Sequence, residues 1–156
     1  MNKINIILII CIIACAAIGA VYALDAEPNK LYEVNGEVEG YKVSFISTQN
    51  ISDTKIEHAE GYDYLFSESQ LVNVYVGNED SILGEKIAIT KNRESFNPQD
   101  VNGTIVYISE ANVGPHAGET RFISFAIDRD TGIITSVSTP SANVTSFIMK
   151  HLEVLR

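Results

Sequence analysis

Twenty-one consecutive residues near the amino terminus, Ile4 to Leu24, carry no charge, and Asn5 is their one strongly polar side chain. As a helix rising ~1.5 Å per residue, such a run spans about 30 Å, the thickness of a bilayer's hydrocarbon core. Two fates fit it. Kept, it is a transmembrane anchor. Removed, it is a secretory signal, with Lys3 and the amino terminus as the positive n-region and Val21-Tyr22-Ala23 offering cleavage near Ala23. The run exceeds the ~7–15 residues of a typical signal h-region, which favours the anchor. Ile12-Ile13-Ala14-Cys15 has the form of a lipoprotein box, but the apolar run continues past Cys15, where a lipoprotein turns polar. Lys3 before the span, with Asp25 and Glu27 after it, favours an inside N-terminus and an outside C-terminus. The expected organisation is an anchor or signal over 1–24, a linker over 25–30 and an extracytoplasmic domain over 31–156. That places the chain in the cell membrane as a single-pass protein, or outside it if cleavage occurs.

The remaining 132 residues suffice for one domain with one core. A net charge of −9 with Lys and Arg scattered singly argues against nucleic acid as a partner, because a phosphate-binding face needs clustered cations. Cys11 and Cys15 both lie inside the apolar span, so the outer domain has no disulfide and no thiolate site. Packing must stabilise it.

That packing reads as β. Tyr41-Lys42-Val43-Ser44-Phe45 alternates apolar and polar, the period of a half-buried strand. Gln70–Val76 is rich in Val, Leu and Tyr and stops at the turn composition Gly77-Asn78-Glu79-Asp80. Lys86–Thr90 and Thr104–Ser109 are further strand candidates, with Lys91–Asp100 between them as loop. Thr120–Ile127 and Ile133–Thr139 flank Asp128-Arg129-Asp130-Thr131-Gly132, a β-hairpin whose Gly132 can take the positive φ of a type I turn plus bulge. Thr139-Pro140 marks a helix start with Pro at the first helical position. Val144, Phe147, Ile148, Leu152 and Leu155 then recur at helical spacing. The expected fold class is α+β: an N-terminal transmembrane helix, then an antiparallel sheet of five to seven strands closed by one C-terminal amphipathic helix.

Candidate chemistry is sparse. Asp128-x-Asp130-x-Gly132 resembles the opening of a calcium loop but lacks the later ligands, and a hairpin turn wants the same residues. The acidic stretch Glu79, Asp80 and Glu85 offers no better set. His58, His116 and His151 lie far apart, with no His or Glu at i+4 to complete a zinc pair. His116, in Gly114-Pro115-His116-Ala117-Gly118, sits on a predicted exposed loop, and His151 near a helix C-terminus. No Ser occupies a Gly-x-Ser-x-Gly elbow. No catalytic, cofactor-binding or metal site is expected. Three acceptor triplets for N-glycosylation occur, at Asn50, Asn102 and Asn143. Composition alone yields about two such triplets, so export is what gives them meaning.

The Ile-rich span, the strand Gly40-Tyr41-Lys42-Val43-Ser44-Phe45, the step Val101-Asn102-Gly103-Thr104 and the final hairpin with its helix together resemble small membrane-anchored proteins of unknown function from methanogenic archaea. That resemblance covers most of the chain and implies no activity. Residues 122–137, through Phe125-Ala126-Ile127-Asp128-Arg129-Asp130-Thr131-Gly132-Ile133-Ile134, are similar to the closing hairpin of PepSY domains. The helix that precedes the PepSY strands has no counterpart, because 101–119 reads as strand and loop.

Three functions follow as expectations. The first is a membrane-anchored extracytoplasmic binding or scaffolding module, not an enzyme, with the membrane (through residues 4–24) and an envelope protein as its partners. The second, implied by the PepSY resemblance, is an inhibitor of an exported protease. The third is an exported hydrolase using His116 with a carboxylate. A pilin is disfavoured, since no Gly and Glu flank the apolar run as a prepilin site requires.

Overall fold

The computed structural model describes residues 30–59, 61–78, 80, 81, 84, 87, 96–110 and 118–156. Alternation sets the first element pair. In β2 (Tyr41–Ser47), Tyr41, Val43, Phe45 and Ser47 are buried while Lys42 is exposed, so one edge-on row of side chains faces a core. β1 (Tyr32–Val38) pairs with it antiparallel, Val38 opposite Tyr41. The two strands join through Glu39 and Gly40 at φ 53 and 77, the left-handed pair of a tight hairpin whose twist suits the strands.

A second sheet follows. β3 (Lys55–Ala59), β4 (Tyr62–Ser67) and β5 (Val72–Asn78) form an antiparallel meander, and β6 (Gln99–Val101) pairs with β7 (Thr104–Glu110) through Asn102-Gly103, again a left-handed pair at φ 53 and 80. β8 (Thr120–Ile127) and β9 (Ile133–Thr139) make the expected hairpin, with Gly132 at φ 70 and its N–H on the Asp128 carbonyl at 2.8 Å. The strand order is β3-β4-β5-β9-β8-β7-β6. At ~4.8 Å per strand such a sheet is about 30 Å wide, too wide for three strands to cover. The three-stranded sheet therefore covers one part, and helix α1 (Ala142–Lys150) covers the part over β7, β8 and β9.

The core lies between these layers. Val38, Val43 and Phe45 meet Leu65, Val72, Val74, Val76 and Val137, with Ile51 from the β2–β3 loop and Ile148 from α1 completing the cluster. At Gly36 the sheets approach closely: a Cβ there would stand 2.9 Å from Leu65 Cδ2.

Polar side chains fix the helix as firmly as apolar ones. Thr145 and Ser146 are buried, and their hydroxyls donate to the carbonyls of Phe122 (2.9 Å) and Val101 (2.7 Å). Thr139 organises the first turn, its hydroxyl accepting from Ser141 N–H at 3.0 Å and lying 2.9 Å from the Thr145 hydroxyl.

Several expectations need correction. The class is not an α+β sheet closed by a terminal helix. Among the described residues it is mostly antiparallel β, in two sheets with one short C-terminal helix that is followed by a further strand. Pro140 precedes the N-cap Ser141 and is not the first helical residue. The helix stops at Lys150, and β10 (Glu153–Leu155) pairs with β2, Val154 opposite Val43. Leu152 and Val154 face the core at strand spacing, leaving Leu155 65% exposed. The open edge of β2 supplies ladder partners that a longer helix would leave unused. Ile87, expected in a strand, has helical backbone, and Gln99 and Asp100, expected in loop, belong to the strand Gln99–Val101. Among the described residues no helix is long and apolar enough to cross a membrane. Ile4–Leu24, the expected transmembrane helix, lies outside them.

Candidate binding face

The face of the seven-stranded sheet turned away from the core is aromatic. Tyr62, Tyr64 and Phe66 are alternate residues of β4 and so share that face, with Leu65 and Ser67 buried on the other. Their rings touch in sequence, Tyr62 to Tyr64 at 5.8 Å and Tyr64 to Phe66 at 6.2 Å between centroids. Tyr75 of β5 meets Tyr62 edge-on at 5.9 Å. Across the sheet, Tyr107 of β7 and Phe125 of β8 stack at 4.9 Å with planes 7° apart.

Register turns these rings into rows. Phe66 stands opposite Asn73, Asn73 opposite Ser138, Ser138 opposite Ile123, and Ile123 opposite Tyr107. Four strand spacings of ~4.8 Å make this row about 19 Å long, with an aromatic ring at each end and two polar side chains inside. The next row runs Tyr75, Ser136, Phe125. At the far end of β9, Ile134 is fully buried and clusters with Tyr75 and Ile87. Coverage is thus uneven: Tyr75 is 3% exposed and Tyr62, Tyr64 and Phe125 pack against its cluster, whereas Phe66, Tyr107 and Ile123 lie outside that cluster and are half-buried.

The electrostatics of the face are mild. Burial raises the phenol pKa values of Tyr64 and Tyr75, so both rings stay neutral and keep a hydroxyl to donate. The Tyr75 hydroxyl already bonds to that of Ser81. Lys55 and Glu57 pair at 2.7 Å on β3, opposite Phe66 and Tyr64, and form a charged rim. Among the described residues no hydrogen-bond partner reaches the buried Asn73 Oδ1.

Among the described residues, those singled out from sequence do not converge on a chemical site. His116 lies outside the described residues, as do Glu79 and Glu85. His58 is exposed and bonds through Nδ1 to Asp63 at 2.8 Å, which raises its pKa. His151 donates from Nδ1 to the Phe147 carbonyl at 2.8 Å and rests 4.4 Å from that ring. Asp128 Oδ1 accepts the Asp130 N–H at 2.9 Å, and bonding to the Thr131 side chain foremost holds its carboxyl below the usual range. Its lone pairs serve the turn. Among the described residues no three of His, Cys, Asp and Glu gather as a metal set. A cleft of about 310 Å³ beside Glu39, Tyr75, Ser81 and Arg156 brings together none of these candidates. Asn50, Asn102 and Asn143 are all exposed, in the β2–β3 loop, the β6–β7 turn and the first turn of α1.

Sequence reasoning passed over the aromatic face, although its signal was present. Tyr62-Asp63-Tyr64-Leu65-Phe66 puts three rings at i, i+2 and i+4, a strand period with one wholly aromatic side. Comparison of the chain with protein-family models, with curated proteins and with solved structures finds no match.

Proposed function

We propose that this chain is an extracytoplasmic binding module, held at the membrane by Ile4–Leu24, that meets a protein of the cell envelope through the aromatic face of its larger sheet. One observation carries the reading: the row Phe66, Asn73, Ser138, Ile123, Tyr107, half-buried at both aromatic ends. A small-molecule site is concave and encloses its ligand. A sheet face about 19 Å long is not, and it suits a macromolecular surface. Aromatic rings beside a charged rim at Lys55 and Glu57 are also in keeping with the composition of protein interfaces. The net charge of −9 sets nucleic acid aside. The apolar segment and the acidic residues after it support the outward orientation.

The test uses the full chain in intact cells, with a photo-crosslinking amino acid placed at Tyr107, at Phe66, or at the exposed Lys42 of the smaller sheet. Adducts to one envelope protein from Tyr107 and Phe66, absent from Lys42, are expected. No adduct from the aromatic face, or the same adducts from all three positions, would remove it as the recognition surface. Protease added to sealed cells checks the topology independently: a domain that resists it until lysis is on the wrong side.

A further inference from the structure

We propose that the acceptor triplets at Asn50, Asn102 and Asn143 are N-glycosylated, and that folding gathers their glycans on the helix-bearing side of the domain, leaving the aromatic face bare. The inference rests on the export reading above. The triplets are spread over 94 positions of sequence, yet the fold brings them together. Asn102 and Asn143 line one groove of about 430 Å³, together with Thr48, Phe147 and Lys150. Lys150 closes its floor by donating from Nζ to the Asn102 carbonyl. Asn50 follows Thr48 by two residues, a reach of about 7 Å. All three side chains are exposed. The helix and the smaller sheet both lie on the core side of the seven-stranded sheet, so this neighbourhood is turned away from Tyr64, Phe66, Tyr107 and Phe125.

The local geometry fits the chemistry and orders it in time. Transfer forms a bond from Asn Nδ2 to C1 of a lipid-linked oligosaccharide. The C1–O bond to the lipid phosphate breaks, the phosphate leaves with the electron pair, and the amide gives up one proton. At Asn50 the Oδ1 is occupied, accepting from Ser52 N–H at 3.2 Å and Ser52 Oγ at 2.8 Å, so the turn uses the oxygen and not the nitrogen that must react. Recognition also needs the hydroxyl residue of each triplet. Thr145 is 0% exposed, so the triplet at Asn143 is legible only before the domain closes, whereas the exposed Ser52 leaves the triplet at Asn50 readable in the fold. Asn102-Gly103-Thr104 sits in a turn and remains readable afterwards.

Full-length protein purified from the membranes of the cells that make it, digested and mapped by mass spectrometry, decides the matter. Glycan mass at all three Asn residues is expected, with Asn102→Gln and Thr104→Val each removing the same single step. The Val variant keeps the Asn side chain and guards against a folding artefact. A domain that external protease reaches but that carries unmodified Asn at these positions overturns this inference while the export reading stands. A domain that is both unreachable and unmodified overturns the two together. Glycan on Asn102 alone would also sink the proposal, since the gathering of three is its content.

Discussion

Arg121 donates from Nη1 to the carbonyl of Leu71, 2.8 Å away and 50 residues earlier in the chain. Leu71 ends the β4–β5 turn at φ 53, a left-handed conformation that costs a residue with a Cβ roughly 1–2 kcal/mol. The guanidinium is 8% exposed, and burial draws its pKa down, yet it stays charged at neutral pH. A buried cation reaching from β8 to an awkward turn ties the two halves of the large sheet at one end.

Arg121→Met keeps most of the volume and removes the donor. The loss of a charge-assisted bond to a buried carbonyl should cost about 1.5–3 kcal/mol. Urea titration reads it directly. A variant within about 0.5 kcal/mol of the parent would show that water replaces the guanidinium without penalty.

Asp53 fastens the opposite side of the same turn. Its Oδ1 accepts from the buried Ser67 hydroxyl at 2.6 Å and its Oδ2 from Ser69 N–H at 2.8 Å, and these bonds, Ser67 foremost, hold its pKa below the ordinary 3.8. A folded pKa below the unfolded one means stability that is fully present above pH ~4 and lost as acid titrates the folded carboxylate. Asp53→Asn should therefore be less stable than the parent at about pH 5, with the gap closing towards about pH 3. A gap that stays constant across that window would assign the effect to shape instead of charge.

Gly77 is a steric requirement of Tyr75. A Cβ at Gly77 would lie 1.9 Å from the Tyr75 hydroxyl and 2.5 Å from its Cζ, because that ring lies along its own strand. Gly77→Ala should push the ring off Ser81 and Tyr62 and cost about 1–3 kcal/mol. In a Tyr75→Leu background the added cost should largely vanish. Additive losses in the double variant would mean the methyl clashes with something else.

What the sequence made legible was local periodicity, and what it hid was set by tertiary partners. The hairpin around Gly132 and the strand at Tyr41 were readable because alternation and turn chemistry agree there. β10 was not, because Leu152 and Leu155 continue a helical stripe, and only the open edge of β2 turns Glu153–Leu155 into strand. β1 carries Glu33, Asn35 and Glu37 on one side, and at its centre Gly36 leaves the buried side without a side chain, a weak apolar signal until Leu65 fills that place. The candidate face escaped for a different reason. Its rings sit on four strands, and only register assembles Phe66, Asn73, Ser138, Ile123 and Tyr107 into a row.

The closing helix separates stripe reasoning from structure most sharply. The apolar stripe ranks Phe147 with Ile148 and gives Thr145 no weight. In the fold Ile148 is 0% exposed, Phe147 is half-buried beside the His151 ring, and Thr145 is 0% exposed with its hydroxyl on the Phe122 carbonyl. Ile148→Ala should therefore cost ~2–5 kcal/mol, the range for a fully buried truncation. Phe147→Ala should cost less than about 2 kcal/mol, since half the ring's transfer energy is already forgone. Thr145→Val, nearly isosteric, should cost about 1–3 kcal/mol by removing the hydroxyl's bond to the Phe122 carbonyl and its contact with the Thr139 hydroxyl. Urea titration of the three single variants gives the order. Phe147→Ala as the costliest of them, with Thr145→Val silent, would mean that the apolar stripe outweighs the seat that Thr145 provides and that its hydroxyl contact to β8 contributes nothing.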